Sequence, residues 1–301
     1  MKKLLLILFI FLATLGHSQS FFERDTTLNV KRTAWSSGLI AGGWIASTVA
    51  LQNIWYKEHW SEFHLFDDSR EWLGMDKIGH AYTTHAITKN ITEIYHWAGL
   101  KRGTSLAIGS GVALGYLTTI EILDGFSKDW GFSWSDMAAN SLGVAMFAWQ
   151  DLLWQEQRFK LKFSTHLSPY AQSRPNVLGS TIPERLLKDY NGQTYWLTVS
   201  PGMFLKEDTK FPKWLGFSFG YSVDQKVHGD YNEMLVYRAD GSSVQLSARS
   251  QYLFSLDIDL EQIPTNKKWL KAIFKAFNHL KVPFPALILS DGKLGGHYFY
   301  F

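Results

Sequence analysis

The stretch LGFSFGYSV, residues 215–223, alternates bulky apolar residues with glycine or serine. Successive side chains of a β-strand point to opposite faces, so a period of two predicts a strand with one apolar face. The same alternation recurs at residues 161–167 and 252–261, and turn-forming pairs such as Asn191-Gly192 and Asp240-Gly241 lie between the alternating runs. Residues 156–301 are therefore predicted to form an antiparallel β domain of about six to eight strands.

The chain ends in the aromatic run HYFYF, residues 297–301. Alternating strands followed by an aromatic last residue resemble the terminal strand of outer-membrane β-barrel proteins, whose assembly machinery recognises that residue. The resemblance implies a small barrel at the outer membrane, with Phe301 as a contact for the assembly machinery. A periplasmic sheet or sandwich with an aromatic last strand is the alternative.

One helix is predicted inside the β half, at residues 266–280, with Asn266 as its cap. Its apolar residues fall on one face and its lysines on the other, which is typical of a basic amphipathic helix. Such a helix can lie on a membrane or against the sheet.

The preceding residues, 19–155, favour a bundle of about four to five helices. Four segments carry the helical pattern, and they are residues 34–56, 76–97, 103–120 and 137–150. The first has no charge and reaches the ~20 residues that a membrane span needs. Its glycine, serine and threonine residues suit close helix packing better than contact with lipid tails, so a spanning bundle and a tightly packed core both remain open.

The first residues predict export. A charged start, a short apolar run and small residues make residues 1–18 a secretory signal peptide, cleaved after Ser18. The sequence contains no cysteine, which excludes a lipidated cysteine and a disulfide framework. We expect an exported protein at the outer membrane or the periplasmic face of the envelope.

The composition points toward lipid and away from nucleic acid. Aromatic residues make up 16% of the chain, with 13 tryptophans, and such rings favour the boundary between water and lipid. Large aromatic cores would produce the same excess. The net charge of +3 is nearly balanced, and no basic stripe indicates nucleic-acid binding. Membrane lipid is the expected partner.

Three short motifs place polar side chains near helix ends in the helical half. Residues three or four apart share a helix face, so each motif presents a pair. The pairs are Asp76 with His80, Glu121 with Asp124, and Asp136 with Asn140, and Lys77 lies beside the first. Unpaired ionisable groups are costly in an apolar bundle, so these side chains are expected to meet in one layer. His85, five positions after His80, is expected on another face of its helix.

A shared layer of this kind allows three interpretations. It can be a structural network, with Asp76 as a helix cap, Ser133 and Asp136 as a capping box and Asp124-Gly125 as a helix stop. It can bind a ligand or a divalent cation, although the donor set specifies neither the metal nor any other cofactor. It can also be catalytic, with His80 as the acid-base group and Asp76 and Glu121 assisting.

The ordered set Asp76-Lys77-x-x-His80, then Glu121, then Gly-Phe-Ser-x-x-Asp136-x-x-x-Asn140 resembles VanZ-like proteins and YfiM-like predicted periplasmic lipoproteins. The resemblance covers about residues 70–155. VanZ-like members are multi-helix membrane proteins linked to glycopeptide-antibiotic tolerance, and the lipoprotein branch has no established activity. This chain departs from that branch because it lacks the lipidated cysteine, and its β half is similar to that of long Bacteroidetes-type members.

Together these patterns predict an α+β protein of the cell envelope that associates with a membrane. Its polar layer is expected to be structural or to bind a ligand related to lipids or the cell wall. The alternative is a hydrolase or transferase that acts on a lipid-linked or phosphorylated envelope substrate through His80 and the nearby carboxylates.

Overall fold

Four α-helices precede the first strand in the part of the chain that the structure describes, as the sequence predicts. They are α1 (Val30–Leu51), α2 (Met75–Trp97), α3 (Arg102–Gly125) and α4 (Trp134–Trp154), and a π-helical turn at Gln52–Tyr56 extends α1. The computed structural model describes residues 21–56, 60–206, 208–237 and 241–301. The predicted signal peptide, residues 1–18, lies outside the described residues.

Helix α2 packs against both α3 and α4, and glycines set how closely the helices approach. A Cβ atom at Gly143 of α4 would lie 2.2 Å from the backbone oxygen of Ala81 and 2.4 Å from the Thr84 hydroxyl. A Cβ atom at Gly109 of α3 would lie 2.4 Å from the Thr92 hydroxyl. Any larger residue would push these helices apart, so the glycines bring the polar positions of three helices within contact distance.

Two helical segments, Val30–Ile54 and Arg102–Gly125, are long and apolar enough to cross a membrane by length and composition alone. No residue in the apolar window of the first is fully buried, and the second is partly buried against its neighbours. Core helices of soluble proteins and signal sequences can have the same length and apolar composition, so these two properties alone do not establish a membrane span.

Eight strands follow among the described residues. They are β1 (Phe159–Thr165), β2 (Gln193–Val199), β3 (Leu215–Asp224), β4 (Glu233–Tyr237), β5 (Ser243–Ser247), β6 (Arg249–Ile258), β7 (Phe284–Ser290) and β8 (Lys293–Tyr300). Six of them form one antiparallel sheet in the order β1-β2-β3-β6-β7-β8, and β4 pairs only with β5. Within the described residues β1 and β8 do not pair with each other, so the sheet is not a closed barrel.

Three further α-helices lie in the β half: α5 (Pro175–Leu178), α6 (Ile182–Lys188) and α7 (Lys268–Phe277). Helix α7 falls inside the range predicted for the amphipathic helix. The prediction that Asn266 caps it is wrong, because the helix begins one residue later and Lys267 occupies the cap position without a side-chain hydrogen bond.

The buried face of the sheet carries charged and polar side chains, and the exposed face is more apolar, which is the reverse of the usual arrangement. The inner face is buried and carries Lys162, Ser218 and Asp257, all inaccessible to water. The outer face carries apolar side chains. Helix α2 covers it at β1 and β2, where the Tyr82 ring lies 5.7 Å from Phe163 and 5.5 Å from Tyr195.

Strong curvature allows this inner face to be buried. The hydroxyl of Tyr300, on β8, lies 2.9 Å from that of Thr194, on β2, although three strands separate the two in the sheet. The edge of β1 is also paired, because Phe163 N–H donates to the oxygen of His279 at 2.9 Å and Lys281 N–H donates to the oxygen of Phe163 at 2.9 Å. The sheet therefore wraps around a polar interior without a complete ring of strands.

Candidate functional site

The predicted polar residues meet at one end of the helical bundle, and the ammonium group of Lys77 lies at their centre. Lys77 Nζ is 2.7 Å from Asp68 Oδ1, 2.9 Å from Asp76 Oδ2 and 2.7 Å from Asp136 Oδ1. These side chains are all less than one quarter exposed. One lysine thus pairs with three carboxylates in surroundings that contain little water. The polar cluster is defined as Asp68, Asp76, Lys77, His80, Glu121, Asp124, Asp136 and Asn140.

The imidazole of His80 connects the carboxylates of three helices. Its Nδ1 lies 3.1 Å from Asn140 Oδ1 and 3.5 Å from Glu121 Oε1. Its Nε2 faces the other way, 3.8 Å from Asp76 Oδ1 and 3.9 Å from Asp136 Oδ1. Asp76 and His80 come from α2, Glu121 from α3, and Asp136 and Asn140 from α4, so the helix packing alone assembles this part of the cluster.

Glu121 and Asp124 occupy different surroundings although they share a helix face. Glu121 is fully buried, and its Oε2 accepts the backbone N–H of Ser133 at 3.3 Å. Asp124 accepts the hydroxyl of Tyr56 at 2.6 Å, so it is tied to the end of α1. Glu121 is therefore the acid that α3 contributes beside His80.

Two residues of this site are not predicted by the sequence patterns. Asp68 binds Lys77 and also accepts the hydroxyls of Ser133 at 2.6 Å and Ser135 at 2.9 Å. Tyr190, from the β half, donates its hydroxyl to Asp76 Oδ1 at 2.7 Å. Asp68 lies in an irregular segment and Tyr190 is 114 positions from its partner, so no helical spacing could have indicated either.

The entry into α2 is a strained turn that joins the two halves of the protein. Trp72 and Leu73 have φ angles of 51° and 54°, and Gly74 follows with 78°. Side chains other than glycine rarely adopt this left-handed region, and the surrounding contacts must hold them there. Tyr221 of β3 donates to the oxygen of Leu73 at 2.7 Å, which ties the turn to the sheet next to the polar cluster.

The capping predictions have mixed outcomes. Ser133 is the N-cap of α4, since its side chain accepts the N–H of Asp136 at 3.2 Å, and α3 ends at Gly125 as expected. The predicted capping box is not formed, because the N–H of Ser133 donates to Glu121 and not to Asp136. Asp76 is not a cap, because α2 begins at Met75 and Gly74 takes the cap position. The Asp76 carboxylate already lies inside the first turn of the helix, and it binds Lys77 and Tyr190 instead.

Burial and charge shift the protonation of the cluster in opposite directions. Burial would raise the pKa of Asp76, but the positive charges of His80 and Lys77 outweigh it and hold that pKa well below its usual range. Burial would lower the pKa of His80, but the carboxylates of Asp76, Asp136 and Glu121 outweigh it and raise that pKa. The charged forms of Asp76 and His80 are therefore favoured.

The remaining acids of the three helices are shifted upward. Burial raises the pKa of Glu121 to about 8 and that of Asp124 to about 7. Burial and the negative charge of Asp76 also raise the pKa of Asp136. Burial is the largest cause of each upward shift, and the excess of five carboxyl groups over one lysine and one histidine adds to it.

His85 lies apart from the cluster, as the helical spacing predicts. It is buried on another face of α2, where its ring packs edge-on against Phe147 at 5.8 Å. Its Nδ1 atom has no hydrogen-bond partner among the described residues.

The arrangement offers two kinds of chemistry. Within the described residues, Asp76, His80 and Asp136 are grouped so that one donor atom of each lies within 4.8 Å of the others, a spacing that could hold a metal ion. The imidazole between carboxylates could also transfer protons, provided that a substrate reaches Nε2. The side chains of Asp76 and His80 are 23% and 14% exposed, so small molecules or ions can approach them.

Comparison with known proteins gives one match. Residues 58–151 match a family model described as "Predicted periplasmic lipoprotein (DUF2279)". The matched segment contains all the predicted polar residues, and it supports an exported, periplasmic protein. No curated protein and no solved structure matches the chain.

Proposed function

We propose, from the similarity of residues 58–151 to predicted periplasmic lipoproteins, that this chain is an envelope protein that associates with a membrane through its sheet and binds a ligand at the polar cluster. The 301 residues contain no cysteine, so their contact with lipid would not involve a lipidated thiol. The inverted polarity of the sheet is the observation that carries the membrane part of this proposal.

The uncovered part of the outer face forms a continuous apolar surface across four strands. Phe219 of β3 pairs with Phe254 of β6, which pairs with Leu287 of β7. In the next row Tyr252 pairs with Leu289, and Leu289 with Leu294 of β8. Phe219, Tyr252 and Leu287 are each more than half exposed. The outer patch is defined as Phe219, Tyr252, Phe254, Leu256, Leu287, Leu289 and Leu294.

A sheet surrounded by water would gain stability by burying this patch and exposing its lysines and aspartates. Here the buried face carries Lys162 and Asp257 beside a small apolar cluster around Trp196, whereas the exposed face of β3, β6, β7 and β8 is aromatic and aliphatic. An apolar outward face is the arrangement of strands that face lipid. Lipid is therefore the occupant that we propose for the outer patch.

Flotation with lipid vesicles tests this assignment. The full chain is expected to float with phosphatidylethanolamine and phosphatidylglycerol vesicles, and the double variant Phe254→Asn with Leu287→Asn is expected to bind about tenfold more weakly. Each substitution replaces a partly exposed apolar side chain, and burial of such a group in lipid is worth ~1 kcal/mol or more.

The matched control replaces Leu186 and Leu187 of α6 with asparagine. These leucines are also exposed, but they lie outside the outer patch, so flotation should not change. Equal binding of both double variants would refute the role of the patch. Analytical ultracentrifugation without lipid tests for a second copy as the occupant. If the unmodified chain and the Leu186 and Leu187 variant are dimers but the Phe254 and Leu287 variant is a monomer, the patch is a dimer interface and the lipid proposal is refuted.

We further propose that the membrane is the outer membrane, that Phe301 contacts its assembly machinery, and that the helical half is of the VanZ-like or YfiM-like kind with an added β half. After separation of membranes on a density gradient, the protein is expected in the outer-membrane fraction. The variant Phe301→Ser should reduce that amount severalfold, whereas the variant Phe204→Ser, at a similarly exposed phenylalanine, should not. Recovery in the inner membrane would contradict this location.

A further inference from the structure

The three donor atoms that face one another in the polar cluster identify its ligand. We propose that Asp76 Oδ1, His80 Nε2 and Asp136 Oδ1 bind one divalent transition-metal ion, either Zn²⁺ or Mn²⁺. The inference rests on the proposed role of the cluster as a ligand site, and it specifies the chemical class of the ligand.

The distances between the three donor atoms are compatible with one ion bound by all of them. His80 Nε2 lies 3.8 Å from Asp76 Oδ1 and 3.9 Å from Asp136 Oδ1, and all three donors lie within 4.8 Å of one another. Two ligands that are each ~2.1 Å from a metal ion lie between about 3 and 4 Å apart. Small rotations of the side chains would therefore bring all three donors to bonding distance.

The contacts of His80 orient the correct nitrogen. Donation from Nδ1 to Asn140 Oδ1, at 3.1 Å, keeps a hydrogen on Nδ1, so metal binding would require the release of only the Nε2 proton. Nε2 faces the carboxylates of Asp76 and Asp136, and an ion between them would replace the positive charge that the Nε2 proton supplies in the metal-free protein. Metal-bound histidines commonly have their second nitrogen held in this way.

Two buried polar atoms beside His80 indicate that the cluster is incomplete. Glu121 Oε1 and Asn140 Nδ2 are inaccessible to water and have no hydrogen-bond partner in the described part of the chain. Native proteins rarely leave such atoms unsatisfied. The Glu121 and Asn140 side chains lie on the Nδ1 side of His80, so bound water there would satisfy them while the ion lies at Nε2.

The charges of the cluster favour a divalent cation. Lys77 and His80 offset two of the five carboxyl groups when all five are ionised, and a bound cation would favour that ionised state. Lys77 binds Asp76 through Oδ2, whereas Asp76 Oδ1 accepts the Tyr190 hydroxyl at 2.7 Å and also faces His80 Nε2. Lys77 lies 2.7 Å from Asp136 Oδ1, which is another oxygen proposed to bind the ion. Lys77 is thus an internal competitor for the metal.

The mixed donor set narrows the choice of ion. One imidazole with two carboxylates suits Zn²⁺ or Mn²⁺, whereas Mg²⁺ and Ca²⁺ prefer sites made of oxygen alone. Three protein ligands leave at least one position for water or for another ligand.

Titration of the full chain with Zn²⁺ and with Mn²⁺, followed by calorimetry, tests the site. We expect one ion per chain. His80→Gln and Asp136→Asn should each weaken binding by at least about 100-fold, and Asn140→Leu by about 10- to 100-fold, because it removes only the orienting contact. His64 and Asp67 lie outside the cluster, so the control variants His64→Gln and Asp67→Asn should bind the ion as tightly as the unmodified chain does.

A variant of the competing lysine separates a metal site from a structural network. Lys77→Met should bind the ion about tenfold more tightly, because it removes a competing positive charge. In a structural network the same change would only destabilise the fold, with no gain in affinity. If the variants do not fold, the electron paramagnetic resonance of one bound Cu²⁺ in the unmodified chain should show coupling to a single imidazole nitrogen.

Absence of stoichiometric binding by the folded chain, or unchanged binding by His80→Gln, would overturn the metal site. Vesicle flotation does not involve these residues, so loss of the metal assignment would leave the membrane proposal standing, and failure to float would leave the metal site standing.

Discussion

Replacement of Asp257 by alanine is expected to lower the free energy of unfolding by about 3–5 kcal/mol, because it leaves buried ammonium groups without a carboxylate. Asp257 Oδ2 lies 2.8 Å from Lys162 Nζ, and Oδ1 lies 3.8 Å from Lys281 Nζ. All three side chains are fully buried on the inner face of the sheet. Urea denaturation monitored by tryptophan fluorescence measures the effect.

The loss should be large because Asp257 also accepts two hydrogen bonds. The hydroxyl of Thr198 donates to it at 3.1 Å, and the backbone N–H of Val282 donates at 3.0 Å. Alanine removes both acceptors, so β2 and the segment before β7 each lose a buried contact.

An exposed ion pair supplies the control. Glu156 pairs with Arg158 at 2.8 Å, but its side chain is 40% exposed, so Glu156→Ala should cost less than about 1 kcal/mol. If Asp257→Ala is no more destabilising than this control, water must reach the inner face, and the sheet does not enclose a dry polar interior.

Acid is expected to destabilise the fold through a second buried group, His85. Burial, followed by the nearby charges of Lys89 and His279, lowers the pKa of His85 to about 3. An unfolded histidine has a pKa of about 6.5, so between these values the unfolded chain binds a proton that the folded chain does not. Stability from this group is therefore complete above about pH 6.5 and falls as the pH decreases toward 3.

The variant His85→Gln isolates this contribution. Its free energy of unfolding relative to the unmodified chain should rise by roughly 3 kcal/mol as the pH is lowered from 7 to 4, since glutamine does not titrate. Acids with raised pKa values, such as Glu121, stabilise the folded state as the pH falls. They are present in both proteins, so their contribution cancels in the difference between the two free energies of unfolding. Urea denaturation at several pH values gives the result.

His297→Gln, which removes an exposed histidine of β8, is the control for the substitution itself and is measured over the same pH range. A constant difference between the His85→Gln variant and the unmodified chain across this range would mean that His85 is accessible to protons in the folded state.

Local spacing was enough to predict the helices and the meeting of Asp76, His80, Glu121, Asp136 and Asn140. Residues three or four apart must share a helix face, and an apolar bundle leaves polar groups few partners except one another. Asp68 and Tyr190 could not be predicted in this way, because their positions depend on an irregular segment and on the docking of the two halves.

Alternation in the β half likewise predicted strands but not which face is buried. A period of two places Phe163 and Lys162 on opposite faces, and likewise Phe254 and Asp257. It does not indicate which of the two faces is buried. The usual preference would bury the phenylalanines. Here Lys162 and Asp257 pair with each other across the curved sheet, and such a long-range pair is not visible in the local alternation.

The pairing of residues 279–281 with β1 has a consequence for how the native protein opens. This segment connects α7 to β7 and also pairs with β1. It therefore links α7 to strands near the two ends of the sheet order. Separation of α7 would break backbone hydrogen bonds at Phe163 as well. In native-state amide exchange, Phe163 and Lys281 should therefore exchange at the same slow rate, as members of one cooperative unit.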